Sequence, residues 1–334
     1  MILITGGTGF LGAHLLYRLV HNGKKIRALK RSGSSMDLVD RVFKRNNATA
    51  LLQSIEWFEV DLPDMYALSE AFKGVTHVYH TAAMVSFDPS DRDLMMKTNI
   101  EGTANVVNIA LEKNIDKLCF VSSIAALGRT DNNKPVDEET HFSTSVNPSF
   151  YSVSKYESER EVWRGIHEGL NAVIVNPSVI LGAGNWNSGS SKLFQTVYNG
   201  LKFYTSGSNG FVDVDDVARA MIMLMEDDVT AERFILNAEN VSYQQLFVWM
   251  AESLKVDAPK RKAGRLLSAV YWRLQKINSM LTGKAPLVTK ESAQTAQQHY
   301  HYNNQKFLTR FDFKYKPVKQ TINEAASLFL KEIR

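Results

Sequence analysis

Short, almost wholly apolar runs alternate along the chain with longer stretches whose apolar residues recur every three or four positions. Ile2–Thr5 is one such run, stopped at once by a glycine-rich turn, and residues 10–20 follow with Leu11, Leu15, Leu16 and Leu19 on one helical face. The unit repeats. Further strands are predicted at residues 25–29, 55–60, 75–80, 117–122 and 172–176, with helices between them that include 68–72, 94–111 and 152–168. Strands this short and apolar, each separated from the next by a helix, fit a parallel sheet covered on both sides, so the predicted fold class is α/β with a doubly wound parallel sheet. No segment of about 20 to 50 residues recurs, which argues against a solenoid.

After Asn176 the alternation breaks down. Residues 182–210 are rich in Gly, Ser and Asn and read as a long functional loop. A short element at 211–214, a helix at 216–225 and a strand at 234–237 are expected to return to the sheet, before a smaller, mostly helical C-terminal portion that begins at Ser242. That portion closes with an aromatic turn through Phe311, Phe313 and Tyr315 and an amphipathic helix over 321–333.

Composition narrows the class further. The 334 residues, 44% hydrophobic and 22% charged, exceed one small core and fall near the globular average. No window approaches the roughly 18 apolar residues of a membrane span. The single cysteine, Cys119, lies in an apolar strand and reads as a small buried hydrophobe, and the N-terminus lacks a signal-peptide layout, so a cytoplasmic location is expected. The net charge of +4 points to no nucleic-acid partner, but it hides an asymmetry. The first 254 residues carry 23 Lys and Arg against 30 Asp and Glu, and the remainder 16 against 5.

Candidate chemistry begins at the first strand-to-helix turn, where Gly6, Gly9 and Gly12 stand with Phe10 and Leu11 between the last two. The three glycines permit, in order, a tight turn, close approach of backbone to a pyrophosphate, and tight packing of helix on strand. The helix N-terminus adds free N–H groups for phosphate. A Rossmann-type dinucleotide domain follows, expected over residues 1–176 plus about 211–238, with a substrate-binding domain over about 177–210 plus 239–334. Arg31, at the end of the second strand, stands where an NAD enzyme usually has an acid for the ribose hydroxyls, and it suits a 2′-phosphate, so NADP(H) is favoured and NAD(H) remains open. A solvated strand-end arginine is the plainer reading. Asp61, with the backbone of Leu62, is placed either to bond the adenine amino group or to cap the next helix.

Tyr151 and Lys155 lie four apart on a predicted helix, hence on one face. A phenol of pKa about 10 serves poorly as acid or base at neutral pH unless a neighbouring cation stabilises its anion. Ser122 and Ser123 emerge at the carboxyl end of a strand, the edge where ligands bind in open α/β sheets. Asn99 sits inside a long helix, where asparagine is a poor choice.

With these residues in view, the chain resembles an extended short-chain dehydrogenase/reductase of the NAD-dependent epimerase/dehydratase family, and within it the branch of dihydroflavonol reductases and 3β-hydroxysteroid dehydrogenases. The resemblance runs through the glycine turn, Asp61-Leu62, the His80-Thr81-Ala82-Ala83 segment, Asn99, Ser123, Tyr151, Lys155, Asn176-Pro177-Ser178 and the stretch from Gly210 to Asp216. It implies that Tyr151 protonates a carbonyl oxygen, that Lys155 lowers the tyrosine pKa and holds ribose hydroxyls, and that Ser123, rather than Ser122, orients the carbonyl. Asn99 would hold a relay water, Thr81, Ala82 and Ala83 would lie under the cofactor, and Pro177 would border the nicotinamide. One position departs: plant dihydroflavonol reductases have an asparagine for the flavonoid where Gly128 stands, which argues against a flavonoid substrate.

Other signals are weaker. Trp186, Phe194, Tyr198, Phe203 and Tyr204 either line an apolar substrate site or pack the smaller domain. Lys260, Arg261 and Lys262 precede a basic amphipathic helix over 265–284 that suits either weak contact with an anionic membrane surface or packing on its own domain. His299 and His301 lack ligand partners, so no metal is expected. The readings that compete are an NADP(H)-dependent reductase of a medium-sized, largely apolar small molecule, a nucleotide-sugar epimerase or dehydratase with tightly held NAD, and a non-catalytic NADP sensor, in a monomer or homodimer.

Overall fold

β1 (Ile2–Thr5) lies inside a seven-stranded sheet in the computed structural model, which describes residues 1–86, 88–130, 134–143, 148–264 and 296–333. The chain leaves it through α1 (Phe10–His21) to β2 (Ile26–Lys30), then through α2 (Asp37–Arg45) to β3 (Ile55–Glu59). It next crosses by α3 (Met65–Ala71) to β4 (His77–His80), on the opposite side of β1. Beyond β4 the order continues through β5 (Lys117–Val121) and β6 (Ala172–Pro177) to β10 (Glu232–Leu236) at the edge, every pairing being parallel. Winding therefore reverses between β1 and β4, where Thr5 pairs with His80, and the crevice beyond those two residues is where open α/β sheets take their ligands.

Helices bury both faces, as the apolar strands require. Leu15, Leu16 and Leu19 of α1, Val39 and Phe43 of α2, and Met221 of α8 (Val214–Glu226) pack one face. Leu68 of α3 joins Val106 of α5 (Gly102–Glu112) and Val162 of α6 (Phe150–His167) on the other.

The helix predicted over 94–111 is interrupted. It runs as α4 (Arg92–Met96), a π-helical turn at Lys97–Glu101, then α5, and the irregular turn is centred on Asn99.

Residues 182–210 are not one loop. They contain α7 (Lys192–Tyr198) and β8 (Phe203–Tyr204), because Phe194 and Val197 have a core to enter. The element expected at 211–214 does not rejoin the main sheet either. β9 (Ser208–Asp213) lies between β7 (Val179–Leu181) and β11 (Glu239–Ser242) in a separate three-stranded sheet, since β10 already occupies the free edge of β6. Only α8 and β10 return.

This smaller sheet packs on α7, α9 (Tyr243–Leu254) and α11 (Val318–Glu332), with α10 (Gln305–Arg310) leading into the aromatic turn beneath α8 and β10. Trp186 and Phe194 belong to its core, Trp186 lying 5.2 Å from Phe329 and 5.7 Å from Phe194. Arg261 and Lys262 form β12 on β8 with exposed side chains, and the predicted basic helix 265–284 lies outside the described residues. No described helix is long and apolar enough to cross a membrane.

Candidate active site

The turn after β1 forms a cradle with no room for side chains. A Cβ on Gly12 would fall 2.1 Å from the Gly6 carbonyl oxygen, and one on Gly6, whose φ is +69°, would fall 2.7 Å from Ala82 Cα. Gly9 precedes α1 without a side-chain cap, so the first N–H groups of the helix, at Phe10, Leu11 and Gly12, point out unpaired, with no acid in the first turn. The facing wall is the segment after β4. Thr81 Oγ1 donates to the Thr5 carbonyl at 2.7 Å, and the Ala82 N–H donates to Thr5 Oγ1 at 3.2 Å.

A buried relay runs from this turn to the π-helical turn. Thr5 Oγ1 is 2.6 Å from His80 Nδ1, His80 Nε2 is 3.0 Å from Thr103 Oγ1, and Thr103 Oγ1 donates to the Asn99 carbonyl at 2.6 Å. Because the Thr103 proton goes to the Asn99 carbonyl, His80 Nε2 donates to Thr103 Oγ1, and in a neutral imidazole Nδ1 then accepts from Thr5 Oγ1. Burial and then the nearby Lys155 charge push the His80 pKa down to about 3, in agreement.

At the far end of the crevice a cavity of about 520 Å³ is lined by Arg31, Ser32, Ser34, Glu59, Asp61 and Asp64 among others. Arg31 is exposed, and among the described residues no carboxylate reaches ion-pair distance of it, whereas its neighbour Lys30 lies 3.9 Å from Glu59. Asp61 is not the cap of the following helix. Asp64 fills that place, accepting from the Ala67 N–H at 3.0 Å, and Asp61 stays exposed in the cavity wall. Leu62 is buried under Gly102, its carbonyl accepting from Asn105 at 3.0 Å.

α6 begins at a Ser149 cap, which sets Tyr151 in its first turn and Lys155 one turn on. Tyr151 lies near Ser123, whose hydroxyl works against the burial that raises the tyrosine pKa. Lys155 is buried, donates to the Val121 carbonyl at 2.8 Å and lies 4.7 Å from the centre of the Phe120 ring. Burial lowers its pKa to about 8 against the pull of Glu159. The two serines part here: Ser122 is buried and donates to Glu159 Oε2 at 2.5 Å, while Ser123 Oγ accepts from the Ala125 N–H at 3.1 Å and lies near Tyr151. Asn99 accepts from the Met84 N–H at 2.7 Å and donates to the Met84 carbonyl at 2.9 Å and Ser154 Oγ at 3.0 Å. Its amide is thus a clamp on the Met84 backbone. Pro177 ends β6, buried in register with Leu236.

Residues 2–237 match the model of the NAD dependent epimerase/dehydratase family. The chain belongs to that family.

It is 27% identical over 335 residues to a putative dihydroflavonol 4-reductase of Synechocystis sp., a match covering 98% of this chain and 93% of that protein. The crystal structure of gox2253 superposes with a TM-score of 0.83 at 29% identity, covering 99% of this chain and 98% of the other. A UDP-glucose 4-epimerase from the hyperthermophilic eubacterium Thermotoga maritima gives 0.79 at 19% identity, covering 100% and 99%, and at that identity the likeness concerns the fold. As a family member the protein is an NAD(P)-dependent enzyme acting on CH–OH and C=O groups. The turn and cavity suit such a dinucleotide: the glycine cradle leaves backbone room at the pyrophosphate, and open N–H groups face it.

Two features of this family member escape sequence reasoning. A Cβ on Gly128 would lie 1.7 Å from the His141 carbonyl oxygen, so the chain's own backbone fills the space of a side chain there. Glu159, one turn beyond Lys155 on α6, is buried with four hydrogen-bond donors around it. The signal for Glu159 was its helical spacing from Tyr151 and Lys155, which puts an acid on an inward face.

Proposed function

We propose that this protein is an NADP(H)-dependent reductase that interconverts a carbonyl and an alcohol on a medium-sized, largely apolar small molecule. The observation that carries the chemistry is that the fold brings Ser123 to Tyr151, on the helix that also buries Lys155, its ammonium held on the Val121 carbonyl. A carbonyl oxygen received between the two hydroxyls would be oriented by Ser123 and protonated by Tyr151. When bound, the dinucleotide supplies the hydride. Lys155 stabilises the resulting phenolate by its charge. Asn99 holds the Met84 segment against the active-site helix. Residues 1–176 with α8 and β10 hold the cofactor and the rest of the chain selects the substrate.

Arg31 supports the cofactor choice: an unpaired guanidinium beside the cavity suits a 2′-phosphate, which NAD lacks. Asp61 in the same wall suits the adenine amino group, with Leu62 packed behind it. The crowding at Gly128 speaks against a flavonoid held as in plant dihydroflavonol reductases. The test is oxidation of NADPH against a panel of ketosteroids, aromatic ketones, aldehydes and acyl-CoA thioesters. Turnover of one panel class with NADPH preferred over NADH supports the reading. No turnover, together with tightly bound NAD in the purified protein, favours a nucleotide-sugar epimerase or dehydratase instead.

A further inference from the structure

Glu159 lies on the face of α6 that carries Tyr151 and Lys155, two turns beyond the first and one beyond the second. Its Oε2 accepts from Ser122 Oγ at 2.5 Å and from Asn176 Nδ2 at 2.8 Å, and its Oε1 accepts from Arg233 Nη1 at 2.9 Å and Trp163 Nε1 at 3.3 Å. These donors come from the ends of β5 and β6, from the edge strand β10 and from α6 itself. Asn176 Nδ2 also donates to the Ser123 carbonyl at 3.0 Å. One carboxylate thus reaches the Ser123 backbone by two routes, through the neighbouring Ser122 side chain and through Asn176. Arg233 is held in turn by the Glu138 carbonyl, which it contacts through Nε at 2.8 Å, so the ion pair is fixed from the sheet edge.

We propose that Glu159 is a positioning residue of the active site, whose buried carboxylate sets the Ser122–Ser123 segment against Tyr151 and places a negative charge one helical turn from Lys155. This role rests on the reductase reading only for its catalytic consequence. The groups that face Lys155 are few: Tyr151 and Glu159 on its own helix, the Val121 carbonyl and Phe120 ring on β5, and neutral His80 on β4. Among these Glu159 alone supplies a negative charge, and it opposes the burial that drives Lys155 toward the neutral amine. A residue that merely filled space under the helix would leave the titration of Lys155 where it is.

The experiment follows Lys155 directly, by 13Cε-lysine NMR of the full chain with the resonance assigned through Lys155→Arg. Glu159→Gln is expected to raise the acid dissociation constant of Lys155 at least about threefold, and Glu159→Asp to restore most of it. An unchanged Lys155 titration in folded Glu159→Gln overturns the proposal. Removing one partner of a buried ion pair can prevent folding, so the double variant Glu159→Gln/Arg233→Gln, which leaves neither charge alone, is titrated beside it with the same expected direction and the same overturning result. On the catalytic side, Glu159→Gln should lower kcat roughly ten- to hundredfold, with KM nearly unchanged and the alkaline limb moved to lower pH. A wild-type protein that reduces no carbonyl would sink the reductase reading, while the NMR titration would still decide the role of Glu159.

Discussion

Ser123 and Tyr151 stand far apart in sequence, on the strand end after β5 and in the first turn of α6, and the fold brings their hydroxyls together. Burial raises the tyrosine pKa, so it waits as the neutral phenol, the form that can give a proton to a carbonyl oxygen. Tyr151→Phe should therefore lower kcat by roughly 10²- to 10⁴-fold and leave the NADPH dissociation constant nearly unchanged, since the ring and Lys155 remain. Stopped-flow hydride transfer and fluorescence titration read the two quantities, and full turnover in the variant would exclude Tyr151 as the acid.

Arg31 provides a separate test of cofactor choice. Arg31→Ala should weaken NADPH binding about ten- to hundredfold, the scale of one charge-assisted bidentate contact, with little effect on NADH. Parallel titrations with the two dinucleotides decide it; equal losses for both would mean that Arg31 is a solvated surface residue.

Gly128 cannot carry a side chain without moving the backbone at His141. Gly128→Asn is expected to cost about 1–3 kcal/mol of stability, the range for overpacking a filled site. Urea unfolding of the two proteins measures this. An unchanged midpoint would show that the 141 segment yields easily.

The Lys155 ammonium is lost as pH rises through about 8, well below the usual lysine value, because the residue is buried. In the free enzyme kcat/KM for the carbonyl should accordingly bend downward above that pH. A profile that stays level to pH 10 would remove Lys155 from the chemistry.

His80 makes stability depend on pH in the acid range. Its folded pKa of about 3 lies below that of an unfolded histidine, so only the unfolded chain takes up a proton between the two values and stability falls as the pH drops through that window. Between pH 7 and pH 5 this one group removes about 2 kcal/mol. His80→Gln, measured by urea unfolding at both pH values, should lose that much less than the wild type over the same interval. Identical losses would mean that His80 is already protonated when folded.

Much of the site was legible because its signals are local. The glycine turn, the strand before it and the Tyr151–Lys155 spacing are set by steric demands and helical geometry within a few residues. Ser122 and Ser123 were not separable in that way, being neighbours of the same type. Only the packing of α6 against the end of β5 sends one to Glu159 and the other to Tyr151. Asp61 could have been a helix cap until Asp64 was found in the role, and Trp186 could have faced a substrate until Phe329 was found against it.

The sequence by itself determined the alternation of strand and helix, the wound parallel sheet and the glycine turn after its first strand, since apolar periodicity and glycine sterics act over short stretches of chain. The tertiary structure decided where each polar group spends its hydrogen bonds. The neutral state of His80, the clamp that Asn99 makes on Met84 in its π-helical turn, and the burial of Glu159 all depend on partners from distant segments. A buried polar atom must find a partner wherever the fold supplies one, and no local pattern records which it will be.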